Sequence, residues 1–427
     1  MLLKKNDWLG DNNDMIKKTL NDLIQWLPLV LIVGTLTGTA SAAFLAGLEG
    51  VTRMREHNPL LLWLLPLGGA FVSFIYYKYG KDSAKGNNLL LERVYDQTQG
   101  QENKVIPLRM APLVLLGTLA THLFGGSAGR EGTAVQMGGS LSEWTGKLFK
   151  LDEYDRKLLL LCGISSGFGS VFGTPLAGAI FALELVAFGF LSYRAILPCL
   201  LASYIGHYVT ITWGIHHSSY SLGALPSITA VLLLKITIAS ILFGMTALLF
   251  STMMHKMKAM FTKWLPNPMV KSFVGGCLII ALVYLAGTRD YIGLSLPLME
   301  QSFDEGASPF AFLLKTLFTT ITLAAGFQGG EVTPLFVIGS TLGSALASLL
   351  SVSVPLLAGI GLIAVFSGAT NTPIASFVLG IELFGLQGPA VLYMLIGCVI
   401  AYLCSGRTGI YSSQLVRGTI RGRIRRK

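Results

Sequence analysis

Long apolar runs recur along the whole chain and restrict its fold more than any other feature. Residues 24–48 and 228–250 are predominantly apolar, the second apart from Lys235. A helix of this length crosses the roughly 30 Å hydrocarbon core of a bilayer. Strands of a transmembrane β-barrel would instead alternate in segments of about ten residues. Because hydrophobic residues make up 52% of the 427 positions and charged residues only 13%, the sequence predicts an all-α membrane protein with many spans.

The basic residues predict how the chain lies in the membrane. The formal net charge is +10, and many lysines and arginines gather in connections and at the termini. Loops enriched in Lys and Arg mark the cytoplasmic side. We therefore expect a multi-pass protein of the cell (inner) membrane, with both termini and the 78–109 connection in the cytoplasm. The same distribution argues against a nucleic-acid partner, and the tail is interpreted as a solvated or lipid-binding segment.

The run Gly125–Val135 places an arginine and a carboxylate within this apolar sequence. It reads Gly-Gly-Ser-Ala-Gly-Arg-Glu-Gly-Thr-Ala-Val and contains four glycines. A charge inside a bilayer is costly, so Arg130 and Glu131 predict a functional site, usually a path for an ion or a proton.

The chain contains an internal repeat that includes this run. Residues 168–185 match residues 366–383 at an offset of 198, and the pattern Gly-x-x-Gly-x-Glu-x-Thr occurs at both 126–133 and 326–333. Glycine and proline interruptions at corresponding positions of two halves predict a transport site near the bilayer midplane. We therefore divide the chain into a cytoplasmic N-terminal segment (1–19), two transmembrane halves (20–220 and 221–411) and a basic cytoplasmic tail (412–427).

Helices that begin inside the membrane would provide the physical basis for anion binding. Such a helix leaves about four backbone N–H groups unpaired and carries roughly half a positive charge at its first turn. Pro175 and Pro373 suit a first turn. Small residues nearby, such as Ala177 and Gly178, have the alternative explanation of close helix packing.

Glu131 beside such a site would be a tethered competitor for the anion. Its ionised carboxylate could occupy the site, and its protonated form could swing away, which would couple anion movement to proton movement. Arg130 is either the countercharge of Glu131 or a structural partner of another carboxylate, and the sequence favours neither interpretation.

Several motifs together resemble those of the CLC anion channels and transporters. They are Gly-Arg-Glu-Gly at 129–132, Gly-Gly-x-x-x-Pro at 329–334, Gly-Thr-Pro-Leu-Ala-Gly at 173–178, and a late Tyr411. The resemblance covers nearly the whole chain, in order. It implies an inverted-repeat bundle of tilted and broken transmembrane helices, and a homodimer with a separate pathway in each subunit.

Four departures from the chloride-selective pattern make the sequence similar to the fluoride-exporting CLC branch. Thr133 replaces the usual proline, and Asn87 stands where the first filter loop would carry a serine. The later filter, at 330–334, reads Gly-Glu-Val-Thr-Pro and so contains an additional glutamate and threonine. Leu185 occupies the position of the inner proton-handling glutamate.

This resemblance implies a secondary active transporter that exports fluoride in exchange for protons, with no enzyme activity, cofactor or metal. Glu131 and Glu331 are the implied gating and proton-carrying residues, Glu331 replacing the relay that Leu185 cannot provide. Fluoride is small and strongly hydrated, so its dehydration requires many hydrogen-bond donors. A chloride/proton antiporter or a chloride channel of the same family is the alternative. The implied anion-binding residues are Asn87, Gly129, Arg130, Gly132, Val332, Thr333 and Tyr411.

One interpretation from a different class also fits the sequence. Residues 125–129 match the Gly-x-Ser-x-Gly pattern of serine hydrolases, and His122 lies close to Ser127 in sequence. That pattern requires a strand-to-helix turn, whereas an apolar helical run precedes Ser127. An intramembrane serine hydrolase is therefore a remote alternative.

Overall fold

The computed structural model describes residues 7–95, 105–186, 193–217, 220–223, 226–304 and 306–414, and it describes side chains in these ranges except at 7–25 and 193. The first six residues of the predicted N-terminal segment, and all but residues 412–414 of the predicted tail, therefore lie outside the described residues.

The described residues form sixteen α-helices, eight in each half of the chain. Those of the first half are α1 (Asp7–His57), α2 (Leu65–Ile75), α3 (Asn87–Tyr95), α4 (Met110–Leu123), α5 (Glu131–Leu148), α6 (Glu153–Phe172), α7 (Pro175–Leu185) and α8 (Ile196–Thr212). Those of the second half are α9 (Ala230–Trp264), α10 (Pro268–Ala286), α11 (Leu296–Asp304), α12 (Ala311–Ala324), α13 (Val332–Leu350), α14 (Val354–Thr370), α15 (Pro373–Phe384) and α16 (Pro389–Cys404).

Around the repeated Gly-x-x-Gly-x-Glu-x-Thr pattern, α4 to α8 of the first half and α12 to α16 of the second follow in the same order. The structure adds two elements to the prediction. α1 continues across the boundary predicted at residue 20, so most of the polar N-terminal segment is helical. α11 is a short helix between α10 and α12, and Leu298, Met299 and Phe303 give it a buried face.

Five helical segments in the described part of the chain are long and apolar enough to cross a membrane. The remaining apolar helices are shorter than a full crossing, as the predicted Gly and Pro interruptions require. α4 and α12 each end at a glycine-rich connection inside the protein, and α5 and α13 begin directly after it. The five long segments are Trp26–His57, Pro59–Lys85, Ala230–Trp264, Pro268–Ala286 and Val332–Leu350.

Glycines hold the helices around these connections unusually close together. Gly138 of α5 and Gly163 of α6 face each other so tightly that a Cβ on either would collide with the other's carbonyl group. Gly339 of α13 and Gly361 of α14 make the equivalent contact in the second half. These two helix pairs have the most extensive packing in the protein. Close approach of this kind is what small residues provide between membrane helices, and it fixes the directions of α5 and α13.

Candidate functional site

The two glycine-rich connections meet at a short backbone bridge. The N–H of Gly129 donates to the carbonyl of Gly330 over 2.6 Å, and the N–H of Gly330 donates to the carbonyl of Gly129 over 2.8 Å. This antiparallel pair joins residues that directly precede α5 and α13. The first turns of the two helices are therefore brought to one place.

The carboxylate of Glu131 lies on the first turn of α13. Its Oε2 atom accepts from the N–H of Thr333 over 3.0 Å, and its Oε1 atom is hydrogen-bonded to the Thr333 hydroxyl. The N–H of Arg130 donates to the same Oε2 atom over 3.1 Å. A side chain from the first half thus occupies an anion position at a helix N-terminus of the second half. Only 1% of Glu131 is exposed, so this anion position is shielded from solvent.

Two glycines make this arrangement sterically possible. A Cβ on Gly129 would lie 2.9 Å from Oε2 of Glu131 and 2.8 Å from Pro334. A Cβ on Gly132 would lie 3.0 Å from the Cα of Gly330 and 3.1 Å from the side-chain nitrogen of Asn87. Any side chain at either position would displace the carboxylate, the bridge or the Asn87 amide.

The remaining predicted donors surround the same place. Asn87 begins α3, is 9% exposed, and its Oδ1 atom has no hydrogen-bond partner among the described residues. Val332 and Thr333 are the first two residues of α13 and are both buried. The phenol of Tyr411 is buried, and it lies within electrostatic range of the carboxylates of Glu131 and Glu331. The structure therefore places Thr333 in contact with Glu131, the Asn87 amide beside Gly132, and Tyr411 in the same buried region.

The two repeat glutamates are not equivalent in the structure. Glu331 is the N-cap residue of α13, and its carboxylate makes no hydrogen bond or ion pair to another side chain among the described residues. It lies close enough to Glu131 and to Lys258 for charge interaction. The carboxylate of Glu131 is therefore bound at the first turn of α13, whereas the carboxylate of Glu331 lies nearby and is not bound there.

Arg130 pairs with the adjacent Glu131, its Nε atom lying 3.6 Å from Oε1. The Arg130 side chain is 21% exposed and lines a cavity that is also lined by Glu131 and Thr333. Among the described residues, Arg130 makes no ion pair with any other carboxylate. The cavity is lined by Arg130, Glu131, Phe172, Tyr220, Leu296, Met299, Thr333, Phe336, Leu362 and Leu383.

The sequence pattern of a family described as "Voltage gated chloride channel" matches residues 68–406, which is most of the chain. The chain belongs to the CLC family of voltage-gated chloride channels. Curated CLC relatives include a "Chloride/fluoride channel protein" of Pseudomonas syringae pv. tomato, 44% identical over 92% of this chain and 87% of the relative. An "H(+)/Cl(-) exchange transporter ClcA" of Cronobacter sakazakii is 26% identical over 92% of this chain and 89% of the relative.

Solved CLC structures share the fold. A CLC-type fluoride/proton antiporter aligns with a TM-score of 0.87 and 35% identity, covering 92% of this chain and 98% of that protein. A slow cyanobacterial Cl⁻/H⁺ antiporter aligns with a TM-score of 0.77 at 21% identity, over 94% of this chain and 98% of that one. The predicted fold, an inverted-repeat bundle of tilted and broken helices of the CLC type, is confirmed.

Two glutamates that the sequence analysis did not assign link the halves of this CLC protein. Glu184 at the end of α7 accepts from the N–H groups of Ile374 and Ala375, over 3.1 and 2.7 Å. Glu382 at the end of α15 accepts from those of Leu176 and Ala177, over 2.9 and 2.7 Å. Each Pro-started helix therefore caps the other. Both glutamates lie in the matched stretches 168–185 and 366–383, but nothing local in the sequence pairs either one with the other helix.

A buried ion network, also missed from the sequence, lies at the far ends of the site helices. Arg93 of α3 is 1% exposed, and its side chain lies 3.5 Å from Glu143 of α5 and 2.7 Å from Glu153 of α6. Arg156 of α6 binds the same two carboxylates. Since α3 begins at Asn87 and α5 at Glu131, the network holds in register the helices that present both groups.

The serine hydrolase interpretation has no support in the geometry of Ser127. Its hydroxyl lies 2.9 Å from the Thr319 hydroxyl and 2.9 Å from the Lys315 ammonium, and neither nitrogen of His122 has a hydrogen-bond partner among the described residues. A Ser–Lys pair can be nucleophilic in principle. Here Ser127 and Lys315 are both 0% exposed, and Lys315 is bound by three further oxygens, so no substrate reaches the pair.

Proposed function

We propose that this protein exports fluoride across the cell (inner) membrane in exchange for protons. The observation that carries the proposal is the carboxylate of Glu131, held by the N–H and the hydroxyl of Thr333 at the start of α13. The curated relative that is 44% identical is named a chloride/fluoride channel protein, and a similar solved structure is a CLC-type fluoride/proton antiporter. Both names agree with the predicted fluoride branch.

The exchange follows from competition for one set of donors. Ionised Glu131 is an acceptor and occupies the position by itself. Protonation removes its negative charge, so an incoming fluoride becomes the stronger acceptor for the N–H and hydroxyl of Thr333. When fluoride leaves, Glu131 loses its proton and returns. Fluoride and the ionised carboxylate of Glu131 therefore occupy the position alternately, and each exchange of one for the other requires Glu131 to gain or lose a proton.

The neighbouring groups replace the water that fluoride gives up. Asn87 contributes amide donors, Tyr411 a phenol, and Gly132 and Val332 the backbone of two first turns. Arg130 offsets the negative charge from the side of the cavity. Glu331 exchanges protons with Glu131, the step that Leu185 cannot perform, because an aliphatic side chain carries no proton. No catalysis, cofactor or metal ion enters this scheme.

Reconstitution in liposomes tests the proposal. Fluoride efflux should exceed chloride efflux and should increase when the outside is acidified, because protons enter as fluoride leaves. Glu131→Gln, a neutral carboxamide of nearly the same shape, should abolish proton uptake and remove the dependence of flux on pH. Proton-coupled fluoride flux retained in Glu131→Gln would contradict the mechanism.

A chloride/proton antiporter is the second candidate, because other relatives are named H(+)/Cl(-) exchange transporters. The relative rates of chloride and fluoride efflux in the same liposomes decide between the two anions. Chloride passing as readily as fluoride would favour chloride exchange. Chloride flux without any proton movement would favour a channel.

A further inference from the structure

Lys315 of α12 is a buried cation that the proposed exchange does not use. It is 0% exposed, and among the described residues no carboxylate lies within ion-pair distance of its ammonium group. Burying an unpaired charge in a membrane protein is costly, so we expect Lys315 to have a function. The sequence signal was a single lysine within the apolar run 310–325.

The ammonium group of Lys315 binds four oxygens from two connections. It donates to the hydroxyl of Ser127 over 2.9 Å, which lies in the run leading to Glu131. It also donates to the carbonyls of Tyr291 and Gly293 and to the hydroxyl of Ser295, over 3.2, 3.0 and 2.8 Å. An ammonium group has only three protons, so all three donate hydrogen bonds and one of them is shared between two of the four oxygens.

The two connections that Lys315 joins also touch each other. The N–H of Gly293 donates to the carbonyl of Gly126 over 3.0 Å, and Ser127 forms a parallel bridge with Gly293. On its other side the same run is held by the Gly129–Gly330 bridge. Residues 126–129 are thus fixed at both ends. In the middle, Ser127 is held by Thr319 and Thr322 of α12, and Lys315 is the side chain that joins it to residues 291–295.

We propose that Lys315 is a positioning residue for the gate. By holding the 125–131 run to the 291–295 connection, it keeps the carboxylate of Glu131 in register with the first turn of α13. Without this clamp, which consists of the hydrogen bonds of Lys315, the carboxylate of Glu131 is bound to Thr333 for a smaller fraction of the time. Fluoride then passes without protonation of Glu131. This role rests on the proposed exchange of fluoride for protons. Its loss should lower the number of protons moved per fluoride, and not only the rates of the two fluxes.

The test is the ratio of protons taken up to fluoride released in one liposome preparation. In Lys315→Met, which keeps the length but removes every donor, this ratio should fall by about twofold or more. Lys315→Arg keeps charge and donors and should lie closer to the wild type. Lys235→Met is the matched control, because Lys235 lies on the apolar helix α9 and its ammonium group donates to the Ser351 carbonyl, outside the site. It should leave the ratio unchanged.

A proportional loss of both fluxes in Lys315→Met, with an unchanged ratio, would overturn the proposal and leave Lys315 as a folding residue. If Lys315→Met does not fold, Ser295→Ala decides instead. This substitution removes one hydrogen-bond acceptor of Lys315 and leaves the other three in place. It should also lower the ratio of protons to fluoride, and an unchanged ratio would overturn the proposal. Wild-type liposomes that release fluoride without taking up protons would contradict the proposed exchange, whatever the variants do.

Discussion

Thr333 combines two donors that can be separated by substitution. Its N–H belongs to the first turn of α13 and reaches Oε2 of Glu131 over 3.0 Å, whereas its hydroxyl binds Oε1 of the same carboxylate. The backbone donor would survive a change of side chain, and the hydroxyl would not. A small, strongly hydrated anion in this position would depend on both donors.

Thr333→Val should raise the KM for fluoride about tenfold or more, because a hydrogen bond to a charged acceptor contributes about 1.5–3 kcal/mol. The isosteric valine keeps the packing and the N–H. Thr333→Ser keeps the hydroxyl and is the matched control. The measurement is the concentration dependence of fluoride efflux from liposomes, and an unchanged KM in Thr333→Val would remove the hydroxyl from the anion site.

Glu331→Gln tests the second carboxylate. Glutamine cannot accept or release a proton at neutral pH, so proton uptake should be lost even though Glu131 is intact. Simultaneous recording of external pH and fluoride release measures this directly. Full proton-coupled fluoride flux in Glu331→Gln would show that Glu331 is not part of the relay.

At the scale of the helices, α7 and α15 are joined by reciprocal caps. Each supplies the carboxylate that satisfies two N–H groups at the start of the other. The proline-started helices themselves were predictable, since Thr-Pro recurs 198 positions apart. Their partners were not, because a cap supplied from another helix leaves no local pattern of the kind a capping box does.

Weakening one of these caps should destabilise the fold. Glu184→Gln and Glu382→Gln each replace one of the two accepting oxygens by an NH2 group and remove the negative charge, and each should lower stability by about 1 kcal/mol, a typical value for a helix cap. In the double variant, the loss in free energy of unfolding should differ from the sum of the losses in the two single variants, because both caps join the same two helices. Thermal unfolding in detergent measures this. Glu49→Gln breaks only an exposed pair with Arg53 and is the control; an equal shift there would contradict the cap argument.

At the scale of the whole molecule, the fold class was predictable from the sequence, because apolar length indicates membrane helices and the motifs resemble those of the CLC family. The repeated Gly-x-x-Gly-x-Glu-x-Thr predicted a transport site near the bilayer midplane, and that site stays a prediction. Long-range pairings such as Lys315 with Ser127, or Arg93 with Glu143, could not be predicted. They join residues far apart in sequence, and only the packed helices decide which polar groups become neighbours.

From the resemblance to the CLC family we propose a homodimer with one pathway in each subunit, in contact with membrane lipid and with both termini in the cytoplasm. Because each chain contains a complete Glu131 position, one inactive subunit should leave the other working. Linked dimers with Glu131→Gln in one copy should therefore retain about half of the proton-coupled flux. Complete loss of flux in such mixed dimers would contradict independent pathways.

The Gly129–Gly330 bridge has a consequence for ancestry. Each half satisfies the backbone of the other, and the two halves run in opposite senses across the bilayer, so neither half has a finished ion site by itself. A half-length ancestor could have made this bridge only as two separate copies inserted upside down relative to each other. Fusion of two such genes would fix that pairing in one chain and free the copies to diverge, leaving one glutamate on the anion position and the other beside it.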